Sequence, residues 1–136
     1  MDDMRKEMLA ALGYSEKAVG VLDSELHYGE LRDPTVRLRY EAGCGDILIL
    51  DLRIEDDIIR DAGFVFVGCS GLKSSASGLS EMIIGLHIDE AKKIDLHELV
   101  RWLEGIPQNK YDCAKMACAA LGKAIAKHRE EIRNLR

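Results

Sequence analysis

The sequence predicts an α+β fold: a small antiparallel three-stranded sheet packed against helices. Three observations support it. Residues 36–67 contain three successive apolar or alternating runs joined by short polar links, the pattern of strands in a meander. The stretches on either side repeat apolar residues at helical spacing. The strands are grouped rather than interleaved with helices, which favours antiparallel pairing with one face covered.

Residues 2–12 read as an amphipathic helix with Met4, Met8, Leu9 and Leu12 on one face, stopped by Gly13. Ser15 suits the N-cap of a second helix, 16–26, whose apolar side is Ala18, Val19 and Leu22. Asp33-Pro34 is a break. Residues 36–40 alternate apolar Val36, Leu38 and Tyr40 with cationic Arg37 and Arg39. In 46–54, Leu48, Leu50, Leu52 and Ile54 share one face, with Asp51 and Arg53 on the other. A polar turn, Glu55-Asp56-Asp57, leads into a third strand, 58–67, with Phe64 and Phe66 on one side.

The second half reads as helical. Residues 74–84 form a helix rich in small residues and closed by Gly85, and 89–93 a short helical turn. Asp95 caps a helix with the stripe Leu96, Leu99, Val100 and Leu103, Glu98 completing a capping-box-like pair, and Gly105 and Pro107 end it. Asp112 suits the N-cap of a last helix that buries Met116, Ala117, Ala120, Leu121, Ala124 and Ile125. The charged tail 127–136 is expected to fray.

The 136 residues suit one domain, 1–136, with 1–13 as an extra N-terminal helix. At 47% hydrophobic but only 5% aromatic, the core must be built of Leu, Ile, Val and Ala. A net charge of −5 argues against a broad phosphate-binding face, so nucleic acid is not an expected partner. No apolar run approaches the ~20 residues of a membrane span. The acidic start Met1-Asp2-Asp3 lacks a signal-peptide core, so a cytoplasmic location is expected, where the four cysteines stay thiols. No phosphate-loop, dinucleotide, nucleophile-elbow or H-E-x-x-H motif occurs, which leaves nucleotide binding and the familiar hydrolases without support.

Chemistry centres on the cysteines. Cys44 lies in Ala42-Gly43-Cys44-Gly45-Asp46, where glycines permit unusual backbone angles. If the backbone is extended there, Cys44 and Asp46 point to the same face, a soft thiolate beside a hard carboxylate. Otherwise it is a glycine turn carrying an incidental cysteine. Cys69 comes between the third strand and a helix, where unpaired N–H groups favour a thiolate, persulfide or sulfide, and Lys73 adds charge nearby. Cys113 falls in the first turn of the last helix. Asp112 beside it suits a cap or a metal ligand, and Lys110 suits an anion partner or a solvated surface position. Cys118, five residues further on, is rotated roughly 140° away and reads as packing. His27, His87, His97 and His128 stand apart from every cysteine and read as non-ligands.

Together these contexts resemble the IscU/NifU N-terminal family of iron–sulfur cluster assembly scaffolds, including its SufU branch. The resemblance runs from about Tyr14 to the last helix. Tyr14-Ser15-Glu16-Lys17 looks like the family's start. Ala42-Gly43-Cys44-Gly45-Asp46 matches A-x-C-G-D; Ile58-Ile59-Arg60-Asp61-Ala62, Phe64 and Gly68-Cys69 match I-x-D-A-x-F…G-C; Ser74, Ala76 and Ser77 match the helix start that follows; and Lys110 and Cys113-Ala114 match the last motif. The resemblance implies a SufE/IscU-like fold and a scaffold rather than an enzyme. It implies that Cys44, Cys69 and Cys113 accept sulfur and bind a nascent 2Fe–2S-type cluster, or zinc in the same site. Asp46 would keep the cluster labile, with Lys110 in support. A cysteine desulfurase and apo iron–sulfur acceptor proteins are the implied partners. Asp112 stands where the IscU branch has histidine, so the fourth ligand is open between Asp46, Asp112 and an external group. Ile106-Pro107-Gln108-Asn109-Lys110 replaces the L-P-P-V-K segment read by an Hsp70-type chaperone, and 21–27 replaces the H-x-x-N-P-x-N-like stretch. The alternatives are a SufE-like persulfide acceptor and a divergent zinc-binding interaction protein.

Overall fold

A computed structural model describes residues 1–135; Arg136, the end of the charged tail, lies outside the described residues. The elements run α1 (Asp3–Leu12), α2 (Glu16–Ser24), β1 (Val36–Glu41), β2 (Ile47–Glu55), β3 (Ile58–Val67), α3 (Ser70–Ile83), α4 (Ile88–Ala91), α5 (Leu96–Trp102), a 3-10 turn (Gln108–Lys110) and α6 (Tyr111–Asn134). The sheet has the order β1-β2-β3 with both pairs antiparallel, the α+β meander that the strand grouping predicts.

The alternation in β2 decides which face is covered. Leu48, Leu50, Leu52 and Ile54 are all buried, and α3 and α6 pack against the sheet. Phe64 of β3 is fully buried, with Tyr28 edge-on to it at 5.6 Å and to Phe66 at 5.9 Å. On the opposite face Asp51 is also fully buried. It sits opposite Arg37 across the β1–β2 ladder. Arg37 donates a two-pronged pair of hydrogen bonds, Nε at 2.7 Å and Nη2 at 2.8 Å, to the Asp51 carboxylate. The Leu31 N–H donates to the same group at 2.9 Å, which ties the α2–β1 linker to the sheet.

That linker also protects the β3 edge. The Gly29 N–H donates to the Phe64 carbonyl at 2.7 Å, and the Phe64 N–H to the His27 carbonyl at 3.3 Å. Further along β3, Ile59 exchanges backbone bonds with Gly85 and Leu86. An edge strand is thereby partly paired and its aggregation hazard reduced. Side chains fasten the same linker to α3: Lys73 to Glu25 at 3.0 Å and His27 to Glu81 at 2.5 Å.

Helix α3 lies deepest. Gly71, Ser74, Ser75, Ala76, Ser77, Gly78 and Ser80 are all buried in it, so its neighbours approach the helix cylinder itself. A methyl on Gly78 would lie 2.9 Å from Cδ2 of Leu103.

Several expectations need correction. In α1 only Leu9 is buried; Met4, Met8 and Leu12 face outward because α1 rests mainly on α2, along one narrow line. Helix α2 ends at Ser24, where Glu25 turns left-handed (φ 52°) to start the linker. Helix α3 begins at Ser70, four residues before the expected 74, because fully buried Leu72 already anchors its first turn. Asp112 caps nothing: the 3-10 turn runs directly into α6, and Asp112 falls inside the first turn. The end of α6 does not fray at 127. His128 is buried, Lys127 donates to the Arg37 carbonyl at 2.8 Å, and Arg129 pairs with Asp89. Asp95 does cap α5, accepting the Glu98 N–H at 2.9 Å. No helix among the described residues is long and apolar enough to cross a membrane.

Gly63 tests the fit of the linker on β3. A Cβ there would lie 2.6 Å from the Gly29 carbonyl oxygen and 3.2 Å from Leu31 Cδ2. Gly63→Ala should therefore cost about 1–3 kcal/mol as an overpacked contact. A lowered urea midpoint at unchanged slope is the expected readout, and a wild-type midpoint would show that the linker does not sit there.

Candidate thiol site at the end of the sheet

Three chain turns meet at one end of the sheet. The ladder pairs Glu41 with Ile47 and Ile47 with Val67, so the β1–β2 hairpin tip and the β3–α3 link leave the sheet at the same end. The third turn is the 3-10 segment that delivers the chain to α6.

Cys69 occupies the N-cap position of α3, in extended backbone (φ −97°, ψ 175°). Cys113 is in the first turn of α6. Their Sγ atoms are 3.7 Å apart, and both side chains are half-buried. The two α-helices thus bring their N-termini to one place, where unpaired N–H groups favour negative charge.

The pair is polarised. Burial raises the Cys69 thiol, but the nearby N–H of Leu72, the Cys113 thiol, the Gly71 N–H and the Lys110 charge outweigh it, and the net direction is down. The N–H contacts fall short of a full capping hydrogen bond and act through proximity. Cys113 is pushed up to about 12, first by burial, then by the negative charge on Cys69 and the hydrogen bond it shares with that sulfur, and also by Asp46; Lys110 acts in opposition. Of the two thiols, Cys69 gives up its proton more readily and Cys113 holds its own.

Neighbouring residues are held by glycines. A Cβ on Gly68 would lie 3.3 Å from the Asp46 carboxylate, so the missing side chain gives Asp46 its place beside the β3–α3 link. A Cβ on Gly71 would lie 2.9 Å from Cβ and 3.0 Å from Cγ and Cδ of Lys110, so the Lys110 stem lies directly across the first turn of α3. Tyr14 is buried; burial, then charge on Cys69 and Cys113, push its phenol up to about 12. Ser15 secures that segment, donating its N–H to the Gly105 carbonyl at 3.0 Å and its hydroxyl to the Leu103 carbonyl.

Cys44 is placed differently from the extended arrangement considered above. Residues 42–46 form a tight turn, with the Gly45 N–H donating to Ala42 O at 3.0 Å, the Ala42 N–H to Asp46 O at 2.9 Å, and Gly45 at φ 95°. Cys44 and Asp46 therefore do not share a strand face. Cys44 is exposed at the tip, while Asp46 is half-buried. Among the described residues, no three His, Cys, Asp or Glu side chains stand close enough to hold one metal ion. Of the residues proposed from sequence, Cys69, Cys113, Asp46 and Lys110 come together, and Cys44 stands at the same end without touching them. The donors in contact are two sulfurs, with the Asp46 carboxylate nearby against Gly68; thiolates suit iron–sulfur clusters and zinc.

The remaining positions lie elsewhere. Asp112 is exposed and lines a surface groove of about 230 Å³ with Tyr40, Ala42 and Met116. Cys118 packs against the core, its thiol pushed up to about 11 by burial and then by Asp95 and Glu98, as its rotation along the helix implies. His27 pairs with Glu81, His87 accepts the Asp89 N–H at the start of α4, His97 is exposed and His128 is buried in α6. Sequence reasoning did not assign Tyr14 and Gly71 to this site. The one available signal was a lone aromatic residue between two helices.

The profile of the NifU-like N terminal domain matches residues 13–134. The chain belongs to the NifU-like N-terminal domain family. It is 39% identical over 92 residues to an iron-sulfur cluster assembly protein IscU from Plasmodium falciparum (isolate 3D7), covering 68% of this chain and 56% of that one. It is 30% identical over 128 residues to an iron-sulfur cluster assembly scaffold protein IscU from Rickettsia prowazekii (strain Madrid E), covering 90% and 97% of the two chains. The chain thus spans little more than half of the Plasmodium relative and nearly all of the Rickettsia one. The crystal structure of the N-terminal part of a nitrogen-fixing NifU-like protein from Brucella abortus has the same fold, with a TM-score of 0.70 at 15% identity over 86% of this chain and 94% of that one. Helix α1 precedes the part matched to the NifU-like domain.

The polarised pair predicts an order of alkylation. At neutral pH iodoacetamide should modify Cys44 by exposure and Cys69 ahead of its partner because its surroundings favour the thiolate, with Cys113 and Cys118 lagging. Raising the pH through 9 should leave Cys113 slow, because its proton is held up to about 12. Cys69→Ser removes the opposing charge and should speed Cys113. Peptide mass mapping across pH reads all three, and a Cys113 that reacts like a free thiol would contradict the assignment.

Proposed function

We propose that this chain is a scaffold on which an iron–sulfur cluster is built and from which it is passed on, the cluster being cargo rather than a resident cofactor. The observation that supports this most directly is the 3.7 Å approach of Cys69 and Cys113 at two helix N-termini, in a chain of the NifU-like family. Thiolates are the preferred ligands of such clusters. The half-buried pair would hold the growing cluster, and the Lys110 ammonium would offset its negative charge. Cys44 would join when the hairpin tip moves in, which makes loading and release depend on a short turn rather than on the core.

Asp46 is the better choice of fourth ligand than Asp112, because its carboxylate already lies against Gly68 while Asp112 lines a separate groove. A hard oxygen among soft sulfurs binds the cluster less firmly, which suits transfer. We take sulfur to come from a cysteine desulfurase and the product to go to apo iron–sulfur proteins. A 2Fe–2S unit or a zinc ion would use the same donors. The role is that of a carrier in the cytoplasm, not a catalyst, with residues 13–134 as the scaffold domain and α1 as an addition. The segment 106–110 gives no support for an Hsp70-type chaperone as partner.

A second reading, a SufE-like persulfide acceptor that builds no cluster, draws on Cys69 as the one thiol of the pair whose surroundings favour its ionisation. A divergent zinc-binding interaction protein draws on the tetrahedral potential of the same donors. Anaerobic reconstitution with ferrous iron, cysteine and a desulfurase, followed by visible absorption, separates the three. A cluster band should form, disappear in Cys44→Ser, Cys69→Ser and Cys113→Ser, and persist in Cys118→Ser. A persulfide without chromophore favours the acceptor, and zinc that resists exchange favours the third reading. Asp46→Ala should lengthen the lifetime of the loaded form toward an apo acceptor, and a shortened lifetime would remove Asp46 from this role.

A further inference from the structure

Building any iron–sulfur cluster from delivered persulfide requires that sulfur at the oxidation level of elemental sulfur become sulfide, a two-electron reduction. The Cys69–Cys113 pair has the geometry to supply those electrons itself. The two sulfurs are 3.7 Å apart, on elements 44 residues apart in sequence, and no other residue stands between them as a hydrogen-bond partner. A disulfide needs them at about 2.0 Å. Both lie at the start of their helices rather than mid-helix.

We infer that Cys69 and Cys113 act as a dithiol that reduces a persulfide carried on Cys69, releasing sulfide and closing a Cys69–Cys113 disulfide. This rests on the proposed acceptance of sulfur. A persulfide on Cys69 keeps its own Sγ as the inner sulfur, so the atom 3.7 Å from Cys113 is the one whose attack resolves the persulfide. Attack on the outer sulfur would only move the persulfide to Cys113. In the step, the Cys113 sulfur forms a bond to Cys69 Sγ and the bond from Sγ to the outer sulfur breaks. The outer sulfur leaves with the electron pair and takes up the proton given by Cys113. Two thiol-level sulfurs are oxidised by one electron each, and the sulfane sulfur is reduced by two. The Cys69 persulfide and the Cys113 thiol thus become a Cys69–Cys113 disulfide and one molecule of hydrogen sulfide. The Lys110 ammonium, held across the first turn of α3, offsets the charge on the departing sulfide. A low-molecular-weight thiol then restores the pair for the next cycle.

Cys113 and Cys69 thereby gain distinct tasks before any iron arrives, with Cys69 taking sulfur and Cys113 resolving it. Exposed Cys44 is not needed for this step, which uses only the two sulfurs 3.7 Å apart. The disulfide state also withdraws two cluster ligands, so reduction by the small thiol must precede loading.

The test omits iron and desulfurase. The full chain, reduced and then freed of reductant under anaerobic conditions, receives one equivalent of cysteine persulfide. Free sulfide is then measured, and the alkylated protein is digested for peptide mass mapping. Wild type and Cys118→Ser should release stoichiometric sulfide and yield the peptide linking Cys69 to Cys113. Cys113→Ser should lose sulfide release and keep one added sulfur on Cys69. A wild-type persulfide as long-lived as that of Cys113→Ser would overturn the inference and leave sulfur acceptance intact. A Cys113→Ser protein that takes up no sulfur on any thiol would overturn both. Oxidised glutathione gives an independent measurement that needs no persulfide. It should join Cys69 to Cys113 within one chain, and mixed disulfides with glutathione alone would show that the pair cannot close.

Discussion

The depth to which α3 is sunk among its neighbours sets the geometry of everything at the sheet end. Seven of its residues are Gly, Ala or Ser in buried positions, so α5, α6 and the sheet approach its backbone closely. If ordinary side chains stood at Gly71 and Gly78, Lys110 and Leu103 would be displaced, because the sites of the missing Cβ atoms lie only 2.9 Å from them. Close packing transmits such displacements rather than absorbing them. The approach of Cys69 to Cys113 is therefore a property of the helix crossing, and only secondarily of the two cysteines.

The site gathers its electrostatics from backbone as much as from side chains. Two helix starts present N–H groups, one lysine lies along a glycine, and one carboxylate is admitted beside another glycine. The result is a pair of thiols in unequal states: one held low by this environment and the other held high by burial and by its partner. Tyr14 is buried beside the pair, and Ser15 next to it clasps the carbonyls of Leu103 and Gly105, which ties the segment before α2 to the end of α5.

Much of the fold was legible in the sequence. The three strands, their order and the buried leucine face of β2 follow from period-two alternation, and the stripes of α5 and α6 follow from helical spacing. The exposed methionines of α1 were not legible, because an apolar face says nothing about whether a partner lies close enough to cover it. The burial of Asp51 depended on a distant linker passing over it, with Arg37 set opposite by register alone. In the site, the cysteine contexts marked chain turns that the fold gathers at one end of the sheet, and of the two arrangements open at Cys44 the structure has the glycine turn. That Gly71 and Tyr14 belong to the same neighbourhood is a tertiary fact without a local signature. The early start of α3 was hidden for the same reason, since its first turn is fixed by the burial of Leu72.

Cys69 and Cys113 open two different helices, and a guest bridging both sulfurs would bind only the packed chain. Whatever occupies that place acts as a rivet between the start of α3 and the start of α6, and by mass action shifts the conformational equilibrium toward the tight form. Departure of the guest removes the rivet at the very crossing on which the molecule is built. On the proposed function, the empty protein would be the more pliable partner in any encounter, and handing over its load and relaxing its grip would be one event.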